Sequence, residues 1–421
     1  MPGAQATTAA TRRLDGMAAR LQSLWARRGK VLLRLSVAVM SGMAAFRLFK
    51  AFRDLFLGLG LGDVTRIFTE LVGRWFGGLP VYSYSILAVH PPATYVMLWP
   101  FVGWLEMTPA RGLWIALNGA AIAWLVFLAV RESGAETRLE RAFAALMPLC
   151  MYGMFLTVRT GQFGVFLLPM LVAGLLPLAR NPPGWSRDPA AAALLLAALV
   201  KPTIAAPFIW IALFLPGGTR PVLLVAVGYA ALTLFAVSFQ PDDLAALLQD
   251  WQARSAELAL TEGNANLHKL LNTVDLDDWI LPASFFVLAA HGWWVYRHRE
   301  VDPWLLIGAT AIVARFWTYH RHYDDIVILL PAIALFRLAK NSPRENDNVA
   351  AAALLALTIA GTLIPVRLLS GHRLWSAGLT GGMALLWILL LVFLLKQARE
   401  ERLRAAGSEL RGRKSDRELA V

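Results

Sequence analysis

Apolar residues in this chain come in long runs, such as AVGYAALTLFAVSF and LTGGMALLWILLLVFLL, that reach membrane-spanning length and recur from end to end. Candidate spans lie near 31–49, 92–106, 112–130, 142–158, 163–179, 189–215, 222–238, 281–297, 303–317, 324–339, 348–366 and 376–396. The pattern predicts an all-α, polytopic membrane helical bundle of about 12 transmembrane helices. Residues 1–30 form a basic segment of amphipathic type, 31–396 the transmembrane domain, and 397–421 a charged tail expected to lie on the surface and fray. No A-x-A signal closes the first apolar run, so it reads as an uncleaved helix with a cytoplasmic N-terminus.

Two topologies fit that start. In one, all twelve segments cross once. In the other, 92–106 lies on the outer surface and 189–215 crosses twice, breaking at Lys201-Pro202. The positive-inside rule favours the second, which puts Arg131, Arg138, Arg141, Arg180 and Arg187 inside, against Arg111 and Arg159 for the first. Pro202 removes a backbone donor and disfavours helix at Lys201, so a break there is physically reasonable. Outer loops 50–111 (with juxtamembrane helices) and 239–280 then gather the unusual polar residues on one side, and both termini face the cytoplasm.

Composition agrees. The 421 residues are 57% hydrophobic and only 16% charged, against about 25% in soluble domains, and mean hydropathy is +0.55. The net charge of +12 reflects basic loops and ends, and is no argument for nucleic acid. Cys150, alone, excludes an internal disulfide framework.

Against this background the polar residues inside or beside apolar runs are the candidate chemistry. Asp63 ends GLGLGD ahead of an amphipathic stretch. It reads either as a helix N-cap or as a general base at the membrane surface. Tyr82 and His90 lie in a loop stiffened by Pro91-Pro92, suited to a cavity wall or to interfacial anchoring. Gln162 sits in a glycine-bounded turn, able to bond sugar hydroxyls or simply to satisfy the turn. Lys201 in mid-run needs a cavity or a counter-charge, a lipid phosphate being the natural partner. RFWTYHRHYDDI brings Arg315, His320, Arg321 and His322 together. Its His spacing of i, i+2 shares no helix face, so cation-rich phosphate capture is simpler chemistry than a metal site, with headgroup anchoring as the bland alternative. The 239–280 loop has the length of a lid or binding loop, and Asn264, Asn266, His268 and Lys269 are its candidate acceptor contacts, unless it is a solvated connector. No phosphate-binding or nucleophile-elbow motif is present.

In order and spacing these pieces resemble the integral-membrane GT-C glycosyltransferases. The nearest group is the bacterial polyprenyl-phosphate-dependent mannosyl and arabinofuranosyl transferases, glycosyltransferase family 87. The matching segments are GD with its aromatic helix, GLPVY, VHPP, GQFGVFLLPMLVAGL, AALVKPT, GNANLHKLLN and RHYDDIVILLP, loosely covering 31 to about 340. His90 replaces a usual aromatic, and GNANLHKLLN departs from the family's N-Q-S. The resemblance implies a GT-C fold in a bacterial inner membrane. A single sugar would pass from a polyprenyl-phosphate donor to a lipid-linked or glycan acceptor on the non-cytoplasmic face. Asp63 would be the base of an inverting reaction, with Lys201, His320 and His322 around the donor phosphate. That reaction requires no nucleotide site and no cofactor, a divalent metal staying open. Two rival readings on the same scaffold are a non-catalytic lipid or polysaccharide transporter and a structural subunit of envelope-glycan assembly. Against the transporter, no inverted repeat and no polar path to the cytoplasmic side is evident.

Overall fold

The structure, a computed structural model, describes residues 3–59, 69–85, 87–261, 266–365 and 373–419, with side chains over 28–59, 69–85, 87–258, 266–344, 346–365 and 378–407. The protein is 81% helical, with no strand among the described residues.

In chain order, α1 (Gly3–Phe56) leads to the short α2 (Thr69–Phe76) and α3 (Pro92–Leu98), the latter continued by one π-helical turn, Trp99–Gly103. Then come α4 (Met107–Glu132), α5 (Arg138–Cys150), α6 (Tyr152–Thr160), α7 (Gly164–Arg180), α8 (Arg187–Ala198), α9 (Pro202–Phe214) and α10 (Thr219–Val237). The loop helices α11 (Leu244–Thr261) and α12 (Leu267–Thr273) precede α13 (Ile280–Arg297), α14 (Pro303–Phe316), α15 (Leu329–Asn341), α16 (Glu345–Leu363) and α17 (Arg373–Leu419).

Local chemistry sets many of these boundaries. Pro92, Pro202 and Pro303 open α3, α9 and α14 at the first helical turn, where the missing N–H is harmless. Thr137 and Glu140 form a reciprocal capping box on α5. Gly161 ends α6 at φ 73°, a left-handed conformation that a glycine adopts without steric penalty.

The expected twelve crossings are met only in part. Among the described residues five helices are long and apolar enough to cross a membrane: Arg28–Phe56, Met107–Glu132, Thr219–Val237, Asn346–Leu363 and Gly378–Gly407. The pair α5 and α6, bent by 49°, makes a sixth if it acts as one span. Most of the other apolar segments are broken or short; α13, unbroken over 18 residues, is not among the five. At 1.5 Å per residue a helix of 13 or 14 residues, such as α9 or α14, reaches about 20 Å, well under a bilayer's hydrocarbon core of about 30 Å. They pack inside the bundle instead: α8 lies on α7, α9 on α14, and α14 on α15. The break expected at Lys201-Pro202 is present, and 92–106 does not form a spanning helix.

The dry centre is built from α7, α14, α15 and a 3₁₀ segment, His322–Ile328; Ile312, Ile326, Ile328 and Leu330 are fully buried there. That segment lies against α6 so closely that a Cβ on Gly153 would stand 2.8 Å from the backbone nitrogen of Ile326. Thr157 ties the two together by its hydroxyl, 2.8 Å from the Tyr323 carbonyl.

Candidate active site

One cavity of about 630 Å³ opens beside the α8–α9 break. His90, Gln162, Lys201, Arg321 and Asp324 line its polar end, and His268 lines it as well. Its remaining walls are mostly apolar and aromatic, with Trp251 from α11, Trp317 and Tyr323, and Ile280, Leu281, Phe285 and Leu288 along α13.

The break at Lys201 is what turns the lysine inward. α8 stops at Ala198, Lys201 takes a non-helical conformation (φ −129°, ψ 82°), and Pro202 starts α9. The Val200 carbonyl exposed by this interruption accepts the Thr94 hydroxyl from α3 at 3.0 Å. Lys201 Nζ then reaches Asp324 Oδ1 at 2.5 Å and lies 4.8 Å from the centre of the Tyr323 ring.

Asp324 is held from both sides. Its second oxygen receives His320 Nδ1 at 3.2 Å and the backbone N–H of Arg321 at 3.2 Å. Burial alone would raise its pKa. The Lys201 charge and the His320 and Lys201 hydrogen bonds outweigh that and hold the carboxyl well below the usual range. His320 is fully buried, its pKa lowered first by burial, and its Nε2 meets Thr318 Oγ1 at 3.2 Å.

His90 reaches the cavity through the Pro91-Pro92 corner. Desolvation, reinforced by the Lys201 charge, pushes its pKa down to about 3, so the ring is a neutral hydrogen-bonding group near pH 7. Tyr82 does not line the cavity. It is buried, and its hydroxyl donates to the His90 carbonyl at 2.9 Å, while Trp251 Nε1 donates to the Val89 carbonyl at 2.9 Å. Both side chains hold the wall that carries His90.

His268 is fixed by Ser284, whose hydroxyl lies 2.8 Å from the Ile280 carbonyl and 3.0 Å from that of Trp317. The single hydroxyl hydrogen serves those acceptors, so His268 Nε2, at 2.9 Å, carries the proton and donates. Burial pushes the His268 pKa down to about 4.

The cluster at 315–325 is therefore divided, not gathered. In a 3₁₀ helix successive side chains point about 120° apart, so Asp324 and Asp325 face different ways. Arg315 Nε binds Asp325 Oδ1 at 2.6 Å and His322 Nδ1 lies 3.4 Å from Asp325 Oδ2, on a separate, much smaller hollow beside α16 and α17. Of the expected residues, His90, Gln162, Lys201, His268 and Arg321 share the cavity, while His320 stands behind Asp324, and Arg315 and His322 look away. Asp63 and Asn264 lie outside the described residues. Asn266 is buried and caps α12, accepting the Lys269 N–H at 2.9 Å. Among the described residues no three His, Cys, Asp or Glu side chains converge as a metal-ligand set.

Sequence reasoning missed Asp324 as the partner of Lys201. The signal was available: a buried lysine calls for a counter-charge, and the DD pair was the remaining unassigned acid in the cluster. Trp251, Ser284 and Trp317 carried no such signal, because an aromatic or serine in a membrane chain is ordinarily packing.

A family model described as glycosyltransferase family 87 matches residues 88–319, more than half of the chain. The chain belongs to glycosyltransferase family 87. It is a membrane glycosyltransferase, in keeping with the resemblance drawn above and with its helical, apolar build. No curated protein and no solved structure matches it. The segment matched to family 87 contains His90, Gln162, Lys201 and His268, whereas Asp63 and the His320–Asp325 stretch lie beyond its ends.

Proposed function

We propose that this family 87 enzyme takes one sugar, of mannose or arabinofuranose type, from a polyprenyl-phosphate donor. It passes that sugar with inversion to a lipid-linked or glycan acceptor on the non-cytoplasmic face of a bacterial inner membrane. The observation carrying this reading is the shape of the cavity beside the α8–α9 break. Charged and amide groups meet at one end, and the other wall is the apolar side of α13, where Leu281 and Phe285 are 53% and 61% exposed. A ligand with a phosphorylated sugar head and a long apolar chain fits both halves.

In the proposed reaction the acceptor hydroxyl oxygen bonds to the sugar's anomeric carbon as the bond from that carbon to the phosphate oxygen breaks. The hydroxyl proton goes to the Asp63 carboxylate, and polyprenyl phosphate leaves. Arg321 and the Lys201–Asp324 pair supply the polar ground for the departing phosphate, and Gln162 and neutral His90 bond the sugar hydroxyls. General-base catalysis contributes about 10²–10⁴-fold, so charge stabilisation and positioning supply the rest.

The deciding experiment incubates the purified enzyme with a panel of polyprenyl-phosphate sugars and nucleotide sugars and an envelope lipid extract, following donor consumption. Consumption of one such donor with release of polyprenyl phosphate is expected. Turnover of nucleotide sugars alone would overturn the reading.

A further inference from the structure

At the opposite end of α13 from the cavity lies a second feature that the sugar chemistry does not use. A groove of about 410 Å³ runs between the end of α13 and α17, lined by Trp293, Trp294, Arg297, His298, Arg399 and Arg402. Arg297, Arg399 and Arg402 have no carboxylate within salt-bridge distance among the described residues. The acids nearby are otherwise engaged: Glu400 with Lys396 and Arg344, and Glu401 with the Asp302 N–H, while Glu300 borders an adjoining hollow.

The aromatic floor matters as much as the charge. Trp293 is 62% exposed, with the Arg297 guanidinium 5.6 Å from its ring centre. His298 stacks on Trp294 at 4.9 Å and its Nδ1 donates to the Trp294 carbonyl at 2.9 Å, which fixes the ring at the groove's edge. Phe286, 73% exposed, lies seven residues before Trp293 and so on the same helical face. An apolar stripe therefore runs down α13 and ends at three guanidinium groups with no carboxylate partner among the described residues.

Its depth identifies the setting. From Ser284 at the cavity to Arg297, α13 rises about 20 Å. On α17 the apolar run gives way at Lys396 and Gln397, just before Arg399. The groove thus stands where the apolar run of a helix long enough to span gives way to polar residues, the kind of position at which tryptophan rings and basic side chains meet anionic headgroups.

We propose that this groove binds the phosphate headgroup of an anionic membrane lipid on the bilayer face opposite the cavity, with an acyl chain along the Phe286–Trp293 stripe. Guanidinium forks match phosphate oxygens, and the acyl chain covers indole and phenyl surface that a free phosphate ion would leave in water. The site is independent of which sugar the enzyme transfers.

The test is lipid titration of the delipidated full-length protein by native mass spectrometry, using phosphatidylglycerol and phosphatidylcholine of identical acyl chains. One phosphatidylglycerol is expected to bind at least about tenfold tighter than phosphatidylcholine. Each arginine removed from Arg297→Ala/Arg399→Ala/Arg402→Ala should weaken it roughly fivefold. The corresponding triple lysine variant keeps the charge and should retain most of the preference, which separates lost binding from misfolding. Millimolar inorganic phosphate should not displace the lipid. Equal binding of the two lipids, an unaltered preference in the alanine variant, or displacement by inorganic phosphate would each overturn the proposal.

Discussion

Lys201 and Asp324, separated by 123 positions in the chain, meet at 2.5 Å at the polar end of the cavity, joining the α8–α9 break to the 3₁₀ segment behind α14. The contact neutralises a lysine that would otherwise be an isolated charge in a buried site. It also fixes the carboxylate that His320 supports from behind.

Removing one partner leaves the other buried and uncompensated, a loss of about 3–5 kcal/mol in buried pairs. Asp324→Asn and Lys201→Met are each expected to lower the melting temperature in detergent sharply. The double variant Lys201→Met/Asp324→Leu should recover much of that stability and none of the transferase activity. A double-mutant cycle on thermal unfolding and donor turnover checks both halves.

If Asp63 is the base, Asp63→Asn should reduce turnover by about 10²–10⁴-fold while the protein still binds the polyprenyl-phosphate sugar. Full transfer by a folded Asp63→Asn protein would remove Asp63 from the mechanism.

Arg321 lines the cavity with its Nε 2.5 Å from the Tyr319 hydroxyl. Arg321→Ala is expected to raise KM for the donor and lower kcat by about fivefold or more, since charge-assisted bonds to phosphate exceed neutral ones by about 1 kcal/mol or more. Arg321→Lys should recover part of the kcat loss. Steady-state kinetics with a fixed acceptor reads both.

Stability should fall on mild acidification. His90 and His268 have native pKa values pushed down to about 3 and about 4 from an ordinary 6.5. The unfolded chain therefore binds more protons between those values and 6.5, and stability is lost as pH drops through that window. The Asp324 contribution is different: its carboxyl is depressed below 3.8, so its share is intact above that pH and disappears only below it. Melting temperatures measured from pH 7.5 to 4.5 should decline, and the decline should flatten in His90→Gln/His268→Gln.

Gly153 is expected to be intolerant of a methyl group. Alanine ordinarily favours a helix by about 1 kcal/mol over glycine. Here its Cβ would meet the Ile326 backbone nitrogen at 2.8 Å, within the segment that holds Asp324. Overpacking of about 1–3 kcal/mol and a displaced Asp324 should follow, seen as lower thermal stability together with lower kcat.

Much of this was legible without coordinates. Apolar runs determine an all-helical membrane protein because no other backbone arrangement without a closed barrel satisfies its hydrogen bonds in lipid. Pro202 after Lys201 marked a helix break, and the order of VHPP, GQFG, AALVKPT and RHYDD pointed to the right family of glycosyltransferases. The number of crossings was not legible. Hydropathy does not separate a lipid-facing helix from a short one buried among its neighbours, and α7, α9 and α14 are of the second kind.

Tertiary structure alone decided how the polar residues divide. HRHYDD read along the chain is one basic-acidic cluster, but its 3₁₀ winding sends Asp324 to Lys201 and Asp325 to Arg315 and His322 on the other side. Local spacing can exclude a shared helix face. It does not determine which distant side chain, brought close by packing across more than a hundred residues, each carboxylate will meet.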